Sequence, residues 1–288
     1  MREVPYRKFA MTDLSILIPT LVQQNLSSDE KDYLVNTFER FNGYPKLEEI
    51  WQLMDEQWVA LGCNPNHLDE RVTTFYRHPV WLLNGLFIEQ DTQSLENRRV
   101  FMDWITNQSP RRVADFGGGF GSLARFVGKA LPSSTVEVVE PHPHPGAIAE
   151  VENTPNVRFV PELSGKYDVI VATDVFEHVS DPLSLAAQTA AYLHIGGQYL
   201  IANCFRPVIL CHLPQSYHLH YAWDRAMSEM GLEPGKKLKY GRAYTRKGSF
   251  NVKASRKIGD CAKKWYPIIE NIPIGKTWIG KMLIRLFC

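Results

Sequence analysis

The chain has 288 residues, 44% hydrophobic and 22% charged, the balance of a globular protein with apolar side chains enough for a sizeable core. No apolar run reaches the roughly 18 residues that a membrane-spanning helix needs, and "LSILIPTLV" near the start is short, broken by Pro19 and without the flanks of a secretory signal. Net charge is +1, yet residues 236–288 carry 14 Lys and Arg against Asp260 and Glu270, a net +12 that leaves −11 elsewhere and implies an anionic partner for the basic segment.

Residues 1–108 read as helical. "PKLEEIWQLMDEQWVALG" sets Leu47, Ile50, Trp51, Met54, Trp58 and Leu61 on one face, with Gly62 as the stop. "PVWLLNGLFIEQ" and "SLENRRVFMDWIT" continue the pattern, the second with only a weak cap at Ser94. From residue 111 short apolar strands alternate with helices. The strands are "RRVADF", "TVEVVE", "VRFV", "YDVIVATD" and "GQYLIAN"; the helices are "SLARFVGKAL", "HPHPGAIAEVEN" and "DPLSLAAQTAAYL". That alternation predicts βαβ units and a parallel sheet. "YAWDRAMSEMGL" reads as a helix ended by Gly231, and "KLKYGRAYT" and "SFNVKAS" as two strands joined by "RKG". The chain closes on "KTWIGKMLIRLF", with an apolar stripe of Trp278, Ile279, Met282, Leu283, Leu286 and Phe287 beside Lys276, Lys281 and Arg285.

"VADFGGGFG" concentrates glycines just after a strand. In an open parallel sheet ligands bind beyond the carboxyl ends of the strands, where bare glycines and the first N–H groups of a helix admit a ligand to the main chain. Asp115 and Glu140 end neighbouring strands, and Glu140 can accept hydrogen bonds from two ribose hydroxyls. Gly119-x-Gly121-x-x-Ala124 formally fits a nicotinamide-cofactor fingerprint. The fuller pattern is Asp115-x-Gly117-Gly118-Gly119-x-Gly121, and an acid there repels pyrophosphate but attracts an ammonium group. A cofactor combining adenosine with an amino-acid ammonium is S-adenosylmethionine.

On these residues the chain resembles the class I S-adenosylmethionine-dependent methyltransferases, in their small-molecule group, over about residues 95–252. "VADFGGGFG", "VEVVEPHP", "YDVIVATDVFEHVSDP" and "LHIGGQYLIAN" carry the likeness. The resemblance implies an α/β fold: a Rossmann-like, mostly parallel seven-stranded sheet with an antiparallel last hairpin. It implies a helical lid over 1–108 and the cofactor domain over 109–254, and the charge and apolar pattern add a basic amphipathic extension over 255–288. Cofactor-binding positions would be Asp115, Gly117, Gly118, Gly119, Gly121, Glu140 and Pro141, with Asp174 and Val175 at the methionine end. Many relatives hold adenine with an Asp-Ala pair after strand three; this chain offers Glu162 and Leu163 instead.

Methyl transfer is displacement at an already activated sulfonium, so alignment and exclusion of water carry much of it. A hydroxyl acceptor also loses a proton, for which His178, His220 and Asp224 are the catalytic candidates. "CHLPQSYHLHYAWD" follows strand five on the cofactor side, and Tyr217, His218 and Trp223 suit a small polar acceptor with a sugar-like face. His142 and His144 lack a third ligand nearby, so no metal site is expected. Cys63, Cys204, Cys211, Cys261 and Cys288 are scattered and read as reduced thiols, which with the absence of a leader points to the cytoplasm. The basic end suits an anionic membrane surface, a phosphorylated acceptor, or packing on the acidic remainder; no nucleic-acid-binding motif is evident. A nicotinamide-dependent oxidoreductase and a non-catalytic cofactor-binding scaffold are the alternatives. Oligomeric state is not legible.

Overall fold

The computed structural model describes residues 14, 17–273 and 275–288, with Lys276 described without its side chain. The start of the expected lid and part of "LSILIPTLV" therefore lie outside the described residues. Six helices precede the sheet: α1 (Thr20–Gln24), α2 (Ser28–Arg40), α3 (Leu47–Ala60), α4 (Glu70–Tyr76), α5 (Pro79–Ile88) and α6 (Thr92–Thr106). Their ends follow local chemistry. Ser27 and Glu30 form a reciprocal capping box on α2. Gly62, at φ +64°, turns the chain out of α3. α6 starts before the expected Ser94, because the Asp91 carboxylate accepts the Ser94 N–H at 2.7 Å.

The strands are β1 (Arg112–Phe116), β2 (Thr135–Val139), β3 (Val157–Val160), β4 (Tyr167–Thr173), β5 (Leu193–Ala202), β6 (Leu232–Lys237) and β7 (Arg242–Arg246). They form one sheet in the order β3-β2-β1-β4-β5-β7-β6, with β7 alone antiparallel to its neighbours. Helices α7 (Ser122–Ala130), α8 (Pro145–Glu152) and α9 (Pro182–Ala190) make the crossovers, and α10 (Leu219–Met230) leads into the hairpin. Order reverses between β1 and β4, so the ligand crevice of such a sheet lies beyond their carboxyl ends. At the opposite end, the buried Glu137 of β2 draws together Arg112 of β1, Arg158 of β3 and the Tyr167 hydroxyl of β4.

Two expectations need correction. The hairpin lies one segment earlier than the alternating pattern suggested. β6 and β7 meet through a turn in which Gly241 sits at φ +95°. "SFNVKAS" is not a strand: the Asn251 side chain caps α11 (Val252–Glu270) by accepting the Ala254 N–H at 3.0 Å. Its buried Ser255, Ile258, Gly259, Ala262 and Ile269 follow helical spacing. The basic segment thus begins as a helix before residue 255. Second, Cys261 and Cys288 form a disulfide that joins α11 to α12 (Lys276–Phe287), whereas Cys63, Cys204 and Cys211 are free. The reading of all five as reduced thiols fails at this pair.

Apolar side chains occupy both faces of the sheet and a third region beneath the first helices. One face packs Tyr167, Tyr199 and Phe176 against α9, α10 and α11. The other packs Val136, Val169 and Leu200 against Phe101, Trp104 and Leu123. The third cluster joins Phe38, Ile50 and Leu83 of the N-terminal helices to Phe120 in the glycine turn and to Ile209, Cys211 and Leu213 after β5. The cap and the sheet's carboxyl edge therefore share one core.

Candidate active site

The glycine turn lies between β1 and α7 at the switch point. Gly117, Gly119 and Gly121 take φ of +70°, +53° and +71°, where a side chain would strain the backbone. A Cβ on Gly117 would lie 2.7 Å from Val175 Cγ2, so the turn is wedged against the end of β4, whereas Gly119 faces open space. Gly118 has another role. A Cβ there would lie 2.6 Å from Asp115 Oδ2, so the missing side chain lets the turn fold over that carboxylate.

The sequence sets Asp115 beside Glu140 at the mouth of the crevice. The structure instead buries Asp115 within β1, beneath the turn, where the Ala124 N–H at the start of α7 favours its charged form. Burial pushes its pKa up to about 6, against the opposing attraction of Arg98. Glu140 follows β2 and is half-buried; burial raises it too, and the His142 N–H offers it a long contact of 3.4 Å. Pro141 and Glu162 are exposed, while Leu163 turns into the core.

Asp174 follows β4 in the left-handed region at φ +54° and accepts a hydrogen bond from the Tyr240 hydroxyl. Asp174, Tyr76 and His178 keep solvent-accessible surface although protein closely surrounds them, as in a deep cleft. His178 is desolvated to a pKa of about 3, with His212 adding to the fall, and so is a neutral imidazole near pH 7. Its Nδ1 lies 3.1 Å from the Cys211 carbonyl. The His212 ring stands 4.9 Å away, and Tyr76 and Trp81 of the cap meet His178 edge-on at 6.1 and 6.0 Å. Glu177, 0% exposed, accepts the Cys204 N–H at 2.7 Å through Oε1. Burial and the neighbouring Asp174 hold its pKa well above the ordinary carboxylate range. Trp81 Nε1, Glu177 Oε2 and both amide atoms of Asn203 are buried without a hydrogen-bond partner. Polar atoms left so are costly unless a ligand or water meets them.

Other candidates sit elsewhere. Trp223, 8% exposed, packs between Phe176 and Phe205. Asp224 accepts the Tyr244 hydroxyl at 2.6 Å and pairs with Arg242 at 3.2 Å. His218 lies against Gly259 of α11, and His220 Nε2 is 2.7 Å from Arg206. Tyr217 donates to the His212 carbonyl at 2.8 Å, so it supports the cluster from behind. His142 meets Arg77, and His144 caps α8 while facing Glu30 of α2. Sequence reasoning offers Trp81 and Tyr76 as possible pocket residues, with core packing the favoured role, and it missed His212, Asn203, Arg98 and Tyr240. His212 alone carried a local signal, since it shares the histidine-rich segment after β5 with the residues singled out there.

A family model described as a methyltransferase domain matches residues 87–236. The chain is 31% identical over 135 residues to a malonyl-[acyl-carrier protein] O-methyltransferase of Halalkalibacterium halodurans, covering 43% of this chain and 47% of that protein. It thus matches about half the length of that relative. It is 27% identical over 164 residues to a ubiquinone biosynthesis O-methyltransferase of Ralstonia nicotianae, covering 46% of this chain and 68% of that one. Two solved structures share the fold. The mitomycin 7-O-methyltransferase MmcR aligns with a TM-score of 0.50 at 16% identity, over 80% of this chain and 76% of that one. The CurJ carbon methyltransferase aligns at 0.53 and 10% identity, over 75% and 70%.

Proposed function

The chain belongs to the methyltransferase-domain family, and from that premise we propose that it transfers a methyl group from S-adenosylmethionine to an oxygen of a small polar acceptor, such as a saccharide, a nucleotide sugar or another natural-product intermediate. The observation that carries this reading is the juxtaposition at the switch point. A glycine turn opening at Gly119 and a half-buried Glu140 stand on one side; a polar pocket of His178, His212, Glu177 and Asn203 stands on the other, roofed by Tyr76 and Trp81. Glu140 would receive the ribose hydroxyls, and the acceptor would lie under the two aromatic rings, its oxygen in line with the departing methyl–sulfur bond. Neutral His178 offers an imidazole lone pair for the hydroxyl proton. Much of the rate would come from alignment in a dry cleft. Isothermal titration with S-adenosylhomocysteine and with NADH is the test. Saturable binding of the first and none of the second is expected; the reverse would overturn the reading in favour of a nicotinamide enzyme.

The C-terminal pair of helices extends this reading to a location. Trp278, Met282 and Leu286 recur at four-residue spacing on the outer face of α12, with Trp278 71% and Leu286 66% exposed, and Lys281 and Arg285 interleave with them. Apolar side chains mixed with cations on one surface helix suit the headgroup region of an anionic membrane. Of the expected stripe only Ile279 and Leu283 are half-buried, and Ile284, which is buried in α12, lies outside the stripe. Among the described residues no helix is long and apolar enough to cross a membrane.

A further inference from the structure

Side chains able to ligate a cation crowd the floor of the crevice. Glu177, His178 and His212 each offer one ligand-capable atom, and these atoms lie within 4.8 Å of one another. Each side chain is held at one of its polar atoms by the main chain. Nδ1 of His178 faces the Cys211 carbonyl at 3.1 Å, and Nδ1 of His212 faces the Arg206 carbonyl at 2.8 Å. A carbonyl only accepts, so each Nδ1 carries the proton and each Nε2 is left with a lone pair. Glu177 Oε1 is occupied by the Cys204 N–H, while Oε2 is buried with no partner. Asp174, which already accepts from Tyr240, adds a second carboxylate beside Glu177.

The two Nε2 lone pairs repel one another when neither a proton nor a cation lies between them. A buried group of this kind is stable when something positive fills it. The backbone anchoring of both imidazoles is the arrangement that orients metal-binding histidines and fixes their tautomer. We propose that Glu177, His178 and His212 form a binding site for a divalent transition-metal ion of the zinc, cobalt or manganese class. Two imidazole nitrogens and one carboxylate favour such ions over magnesium or calcium, which prefer oxygen ligands throughout. Bonds of about 2.1 Å would set tetrahedral ligand atoms about 3.4 Å apart, so the side chains would draw inward on loading. Three protein ligands leave a coordination position open. The Tyr76 and Trp81 rings border the cluster on the cap side, where an acceptor would enter. An ion there would take over the imidazole lone pair otherwise open to the acceptor's proton and would hold the acceptor's oxygen itself. That use of the ion rests on the methyl-transfer reading; occupancy of the site does not.

Untagged full-length protein, stripped by dialysis against a chelator, is titrated with Co²⁺ alone and followed by its visible ligand-field absorption. Bound metal is then counted by elemental mass spectrometry. One equivalent per chain is expected. Glu177→Gln and His212→Ala should each weaken binding roughly 100-fold, and His194→Ala, at an exposed position on β5, should not. Should either cluster variant misfold, the unaltered protein supplies a second readout: Co²⁺ should protect His178 and His212 from diethyl pyrocarbonate. Substoichiometric binding, absence of protection, or unaltered affinity in folded variants would overturn the site. S-adenosylhomocysteine titration without metal reports separately on the methyl-donor reading, so the two can fail independently.

Discussion

Asp115 carries a cost and a use in the same carboxylate. Its pKa in the fold, about 6, lies above the ordinary 3.8 because burial disfavours the charge. A carboxyl raised on folding contributes stability below its unfolded pKa and loses it as pH rises through the folded value. Asp115→Asn should therefore leave the melting temperature at pH 7.5 unchanged or higher. The same substitution removes a negative charge from under the glycine turn, where the cationic cofactor would sit. Loss of one charge-assisted interaction, about 1.5–3 kcal/mol, should weaken S-adenosylhomocysteine binding at least tenfold by calorimetry. In the wild type that affinity should also fall as pH drops through about 6, and the fall should be shallower in Asp115→Asn, where the half-buried Glu140 is the acid left to titrate. His178, near 3, is neutral across that range and contributes nothing to it. At this scale the sequence shows what is local in the chain. The glycines, Asp115 and Glu140 adjoin strand ends, so their neighbourhood follows from the strands. His212, Asn203 and Arg98 reach the crevice from elements far apart in sequence, and only packing reveals them together.

At the scale of elements, the helices and parallel strands were legible because each carries its own period and its own stop. The hairpin's existence was legible but its position was not, because "SFNVKAS" alternates over a few residues while its helical contacts, Ile258, Ala262 and Ile269, lie beyond the window. α12 shows the same limit from the other side. Its apolar positions predict a buried stripe, yet the fold uses Ile284 and the bare Gly280, against which Tyr221 and Ile269 pack, and turns Trp278, Met282 and Leu286 outward. If that face meets anionic lipid, the intact protein should co-sediment with phosphatidylglycerol-containing vesicles and not with pure phosphatidylcholine. Trp278→Ser with Lys281→Glu should abolish the difference while near-ultraviolet circular dichroism reports an unchanged core. Equal sedimentation with both vesicle types, or none with either, would remove the membrane from the account.

For the whole molecule, the decisive contacts are those that stitch the helical cap to the sheet. Glu89, at the end of α5, receives hydrogen bonds from Ser122 and Arg125 of α7. Gly85 of α5 presses on Phe120 so closely that a Cβ there would lie 2.3 Å from its ring. Asp55 of α3 accepts the Leu210 N–H at 2.7 Å, and Gln215 reaches the Pro65 carbonyl at 2.9 Å. A cap so joined does not float over the crevice. Amide hydrogen exchange in α4 and α5 should slow when S-adenosylhomocysteine binds, although Glu140 and the turn, not these helices, receive the nucleoside. Exchange unchanged in the cap would mean that the two halves respond separately.

The Gly85–Phe120 seam carries a further implication. Phe120 belongs to the turn that would greet the donor and to the roof that would greet the recipient. Stiffening that ring for one guest readies the room for the other, and thermodynamic reciprocity demands that the favour be returned in equal measure. Donor and recipient should thus lodge more tightly as a couple than either does by itself.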